Sequence, residues 1–126
     1  MTVQRLALDA GALIAMERRK VRAIRFLDLA ARGDALLSVP GPVIAEWWRG
    51  RSDWRVRILD AVHVEPVTLR VLQSAGEAIA AVSGATAIDA IVMAFAAARG
   101  ATVVTGDVHD LERLRSAFPA VRVLSV

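Results

Sequence analysis

The stretch TAIDAIVMAFAAARGATVVTGDVHDL (86–111) decides the fold. Its first part is apolar almost all the way round and reads as a capped helix from about residue 86 to 99, of the kind buried on most sides. ATVVTGD (101–107) then reads as a short strand, and VHDLERLRSAF (108–118) as a further helix. The same alternation runs outward toward the N-terminus. VQRLAL (3–8) is a strand ending at Asp9, followed by helical AGALIAMERR (10–19). VRAIRFLDLAARG (21–33) reads as a helix with Val21, Ile24, Leu27 and Ala31 on one face and a stop at Gly33. ALLSV (35–39) is the second strand, and PGPVIAEWWRG (40–50) and SDWRVRILDA (52–61) are short helices with proline, serine or aspartate at their starts. VHVEPV (62–67) is the third strand, residues 68–82 are helical, and VRVLSV (121–126) is the fifth strand. Strands joined throughout by helices require parallel pairing with right-handed crossovers, so the expected architecture is an α/β sandwich with helices on both faces of a parallel sheet. Ligands bind such sheets beyond the carboxyl ends of the strands.

The chain of 126 residues is one domain's worth, expected to span 1–126 as a single unit. It is 56% apolar with 24 alanines, and a domain of this size can bury roughly two thirds of its unfolded surface, so neither disorder nor a metal- or disulfide-stapled miniprotein is needed. The absence of cysteine excludes disulfides, thiolate zinc sites, iron–sulfur clusters and cysteine nucleophiles, and it fits a reducing cytoplasm. No apolar run reaches the roughly 18 residues of a membrane helix, and the N-terminus carries Asp9 without a small-residue cleavage site. The expectation is a soluble cytoplasmic protein without a membrane partner. Sixteen basic residues face thirteen acidic ones, and fifteen of the bases are arginine, with Lys20 the sole lysine. That balance leans toward a polyanionic partner.

Asp9 and Asp107 end the first and fourth strands, which places both at one rim of a parallel sheet. Asp89 lies in the apolar helix, where a carboxylate must be hydrogen-bonded, paired or neutralised. Thr86 three residues earlier also makes it a capping-box acid, and capping alone would account for it. Glu46 in VIAEWWRG can join the rim from the helix after strand two, or form a surface salt bridge toward Arg49. Asp110 reads first as the cap of the helix that follows, and second as a ligand. Acids gathered from distant segments repel and raise one another's pKa unless a cation sits among them. With oxygen ligands alone that ion is hard, Mg²⁺ or Mn²⁺, and metal-dependent phosphodiester chemistry follows.

On LDAGALIA with Asp9, VIAEWWRG with Glu46, and IDAIVMAFAAARGATVVTGDVHDLERL with Asp89, Asp107 and Asp110, the whole chain resembles the PIN-domain family, and in particular VapC-type toxin ribonucleases. The resemblance implies a five-stranded parallel sheet in the order 3-2-1-4-5 and cleavage of RNA with Mg²⁺ or Mn²⁺. It further implies a homodimer and a cognate VapB-like antitoxin whose C-terminal segment covers the site. By that resemblance Asp9, Glu46, Asp89 and Asp107 are the catalytic acids; Asp9, Asp89 and Asp107 hold the metal, with Asp110 reaching it through water. The family often has Ser or Thr close after the first aspartate; this chain has Ala10 and Gly11, while the strand-end hydroxyl is present as Thr105.

Arg49, Arg51, Arg55 and Arg57 follow Glu46 closely and are the candidate RNA-binding cluster, although a solvated helix face looks the same. Trp47 and Trp48 fit core or dimer packing, or stacking on a base. His109 reads as a surface residue that the chemistry does not require. Two other classes compete. A phosphoacceptor receiver needs paired acids after strand one, an aspartate after strand three and a lysine after the last strand, and the chain ends strand three at Glu65-Pro66 with Lys20 elsewhere. The alternative function is a catalytically silent PIN-like module that binds nucleic acid or protein, and metal-dependent cleavage separates it from an enzyme.

Overall fold

Runs such as LAL (6–8) and LSVP (37–40) are buried at successive positions, which a strand achieves only when both faces of its sheet are covered. In the computed structural model, which describes residues 2–126, five parallel strands form one sheet in the order β3-β2-β1-β4-β5. The strands are β1 (Gln4–Leu8), β2 (Ala35–Pro40), β3 (His63–Glu65), β4 (Thr102–Thr105) and β5 (Val123–Ser125). This is the expected order, with every neighbouring pair parallel. Leu8 pairs with Val104 in register, so Asp9 and Thr105 emerge side by side at the carboxyl edge.

The helices are α1 (Ala10–Glu17), α2 (Val21–Ala31), α3 (Gly41–Trp47), α4 (Asp53–Ala61), α5 (Leu69–Ala81), α6 (Ala87–Arg99) and α7 (Val108–Glu112). Side-chain oxygens of Ser52, Thr68 and Thr86 cap α4, α5 and α6. Gly100 ends α6 in the left-handed conformation, with φ 61°. Six residues of α6, Ala90 and the run from Val92 to Ala96, are buried, as its all-round apolar sequence requires. The helix expected over 108–118 breaks after α7 into a 3-10 turn (Arg113–Ser116), which keeps Leu111 and Leu114 both in the core.

One face is corrected. Val21 and Ala31 of α2 are exposed, and Ala23 is the buried residue, flanked by half-buried Phe26, Leu27 and Ala30. That set is spaced i, i+3, i+4, i+7 and shares Leu27 with the expected stripe, and periodicity alone does not choose between two overlapping stripes.

Two glycines let α1 approach the end of β4. A Cβ on Gly11 would lie 2.9 Å from the amide nitrogen of Gly106, and one on Gly106 would lie 3.1 Å from the Cα of Gly11. Gly11→Ala should therefore cost about 1–3 kcal/mol, the usual scale of overpacking. Gly76 in α5 has nothing within 4 Å of its Cβ position, so Gly76→Ala should instead stabilise by roughly 0.5–1 kcal/mol. Urea melts of the two variants check both signs.

Candidate active site

Asp9 leaves β1 as the N-cap of α1, its Oδ1 accepting the Ala12 amide at 2.8 Å. Its Oδ2 accepts the hydroxyl of Thr105, a residue with no solvent exposure, and the same hydroxyl accepts the amide of Asp107 at 2.9 Å. One buried hydroxyl thus ties the ends of the first and fourth strands together. The close contact of Gly11 with Gly106 leaves no room for a side chain at position 11, where a Cβ would also lie 3.3 Å from Asp9 Oδ1. Thr105 therefore supplies the hydroxyl that the residues after Asp9 lack.

Asp89 sits in the first turn of α6 and is half-buried; Thr86 Oγ1 accepts its amide at 3.2 Å. Burial is the largest influence on both carboxyls and pushes each above its usual pKa. For Asp9, hydrogen bonds from Thr105 and Ala12 pull against burial, while the charge of Asp89 adds to the rise. For Asp89, a hydrogen bond with Thr86 opposes burial, and the charges of Asp110 and Asp107 add to the rise. The acids from distant segments therefore act on one another through space.

Asp107, and not Asp110, caps α7: its Oδ1 accepts the His109 amide at 3.1 Å. The helix begins at Val108, as the sequence predicts, with Asp107 in the capping role expected of Asp110. Asp110 falls inside the first turn, exposed, as does His109.

Glu46 is exposed on α3, and no arginine pairs with it among the described residues; Arg49 donates to the Trp48 and Ala45 carbonyls instead. Its neighbour Trp47 is a core residue, 2% exposed, whose Nε1 donates to Glu17 Oε1 at 2.8 Å. Glu17 Oε2 accepts Arg55 Nη2 at 2.8 Å, and Arg55 Nη1 donates to the Gly50 carbonyl at 3.0 Å. Trp54 Nε1 adds a 2.8 Å bond to the Met16 carbonyl. These bonds fix α3 and α4 to the end of α1. The hydrogen bond from Arg55 is the largest influence on Glu17 and holds its carboxyl below the usual range. Arg55 is thus engaged within the fold and Arg57 lies 5.9 Å over the Trp54 ring, while Arg49 and Arg51 stay exposed. Trp48 meets Trp47 edge to face at 5.9 Å between ring centroids.

Asp9, Glu46, Asp89 and Asp107 line one open cleft of about 470 Å³ at the carboxyl edge of the sheet. Asp110 lies outside its lining and reaches it through its charge on Asp89. All four lining acids are oxygen donors without an ion-pair partner among the described residues, a set whose chemistry fits a hard divalent ion. Among the described residues no three acidic or histidine side chains already converge to hold an ion, so coordination asks for adjustment of the exposed members, Glu46 and Asp107.

The family model of the PIN domain matches residues 6–116, which includes all these acids. The chain belongs to the PIN domain family. The architecture agrees with solved structures at low identity. VapBC2 from Rickettsia felis bound to a promoter DNA fragment is 14% identical, with a TM-score of 0.75 over 98% of this chain and 99% of that one. DNA-bound VapBC from Salmonella typhimurium is 17% identical, with a TM-score of 0.71 over 98% of each chain. FitAB bound to an IR36 DNA fragment is 20% identical, with a TM-score of 0.64 over 95% of this chain and 94% of that one. No match to a curated protein was found.

Three features of this PIN domain site escape sequence reasoning. The Gly11–Gly106 approach joins residues far apart in the chain. Glu17 beside two arginines looks like any solvated acid, yet it holds Trp47 and Arg55 together. Arg18 and Lys20 line the acidic cleft, and only the scarcity of lysine marked either of them.

The raised carboxyl of Asp89 gives a pH test. Between the unfolded value near 3.8 and its higher folded value, the native state binds more protons, so ionisation weakens the fold as pH rises. In EDTA, Asp89→Asn should melt above the unmodified protein at pH 7, and the gap should close as pH falls below about 3.8. A gap of equal size at both pH values would contradict the assignment.

Proposed function

We propose that the protein is a Mg²⁺- or Mn²⁺-dependent endoribonuclease, the toxin of a toxin–antitoxin pair. The observation that carries this reading is the convergence of Asp9, Glu46, Asp89 and Asp107, from four separate elements of a PIN domain, on one cleft. The VapBC and FitAB neighbours support a VapB-like antitoxin as partner, and the proposed toxin is homodimeric and cytoplasmic. Leu69 and Leu72, both exposed on α5, offer apolar surface for such contacts.

Asp9, Asp89 and Asp107 would hold the ion, with Asp110 acting through its charge and through water. A bound ion supplies a water of lowered pKa and neutralises charge building on the scissile phosphate. Asp9 is pre-positioned by Thr105 and the Ala12 amide, so it need not reorganise on binding. Glu46 has no ion pair among the described residues and is free to take the proton released when water attacks. Arg49 and Arg51 are exposed beyond Glu46 and can hold the RNA backbone.

Cleavage of total RNA by the purified protein tests this reading. Asp89→Asn, which keeps the shape of the side chain, should abolish metal-dependent cleavage and leave the fold intact. Asp107→Asn should be more damaging than Asp110→Asn. The latter should lose about 10–100-fold and be partly rescued by excess Mn²⁺. Cleavage that survives Asp89→Asn would overturn the assignment.

A further inference from the structure

Arg18 and Lys20 stand in the wall of the acidic cleft, and neither side chain makes an ion pair or hydrogen bond among the described residues. They reach it through the way α1 ends. The amide of Lys20 donates to the Ala15 carbonyl at 3.0 Å and that of Arg19 to the Met16 carbonyl at 3.1 Å, which is the paired bonding of a Schellman turn. Such turns place glycine at the left-handed position. Here it is Arg19, with φ 55°, the one non-glycine residue with positive φ among the described residues. Its guanidinium stacks 4.7 Å over the Trp54 ring, and Trp54 is bonded in turn to the Met16 carbonyl. The turn therefore directs Arg19 to one side and leaves Arg18 and Lys20 on the cleft.

Arg18 also lines a second groove of about 180 Å³ that carries Trp47, Arg49 and Arg55, and Ile14, Arg18 and Glu46 are common to both. A chain lying in the acidic cleft can thus continue past Arg18 toward Arg49. A polyanion entering a cleft lined by four carboxylates meets repulsion at every phosphate except one held at a metal. Unpaired cations in the same wall offset that repulsion for the neighbouring phosphates.

We propose that Arg18 and Lys20 bind the backbone phosphates next to the scissile one and guide the RNA strand from the acidic cleft into the Arg49 groove. This deepens the ribonuclease reading and rests on it. The probe is a fluorescein-labelled oligouridylate 12-mer in EDTA, where binding is read without cleavage, titrated at several salt concentrations. Relative to the unmodified protein, the double variant Arg18→Gln/Lys20→Gln should lose about tenfold or more in affinity at low salt. Its dependence of log K on log salt should flatten by about 1.4, the value for two lost contacts on a single strand. The charge-matched control Arg32→Gln/Arg122→Gln, which changes residues preceding β2 and β5 at the opposite edge, should bind like the parent. Unchanged binding by the cleft variant, or an equal loss in the control, overturns the proposal while the ribonuclease reading stands. Failure of the unmodified protein to bind the oligonucleotide also overturns the proposal, while the ribonuclease reading falls only if metal-dependent cleavage is absent. If the double variant binds RNA normally and loses binding only to a polyglutamate peptide, the pair serves an acidic protein segment and the proposal is wrong.

Discussion

The buried hydroxyl of Thr105 donates to Asp9 and accepts the amide of Asp107, and so it joins the two strand ends from which the site is built. Only the parallel register of β1 with β4 makes this possible, because it sets Leu8 beside Val104 and hence Asp9 beside Thr105. The backbone contact of Gly11 with Gly106 closes the same junction from the other side. A side chain at either position would push α1 away from β4 and carry Asp9 out of reach of Thr105. The first carboxylate is thereby fixed in direction before anything binds, and it stays close enough to Asp89 for that charge to raise its pKa.

Around that junction the fold sets two kinds of acid. Asp9 and Asp89 are partly buried, and burial lifts their pKa values, so keeping both ionised works against folding until a cation compensates. Glu46 and Asp107 are exposed, with the Asp107 side chain capping α7 and the backbone of Glu46 set by the anchored Trp47 next to it. Glu17 shows the opposite use of a carboxylate. It is satisfied by Trp47 and Arg55, titrates low, and acts as the clamp that orients α3 over the cleft.

The sheet, its order and the placement of the acids at its carboxyl edge were legible because strand–helix alternation and parallel pairing leave few topologies. Asp9 and Asp107 follow their strands directly, so sequence position and spatial position coincide. Legibility failed where two local choices were equally good. Asp107 and Asp110 are both competent caps, and the turn begins at the first of them. In α2 two apolar stripes overlap, and packing selected the one through Ala23. Arg55 could not be told from its exposed neighbours Arg49 and Arg51, because its partner Glu17 lies 38 residues away in the chain. The cationic wall of Arg18 and Lys20 depends on a left-handed arginine that no local pattern signals.

The central claim is that the carboxylates of this cleft share a divalent ion. Titrating Mn²⁺ into the protein while following the electron paramagnetic resonance of the free aqueous ion counts bound metal directly, independently of any RNA. The account predicts saturable binding to the unmodified protein, lost in Asp9→Asn and in Asp89→Asn and retained in Glu65→Gln, whose carboxylate pairs with Arg99 away from the cleft. Binding of equal strength in Asp9→Asn and in the unmodified protein would contradict it.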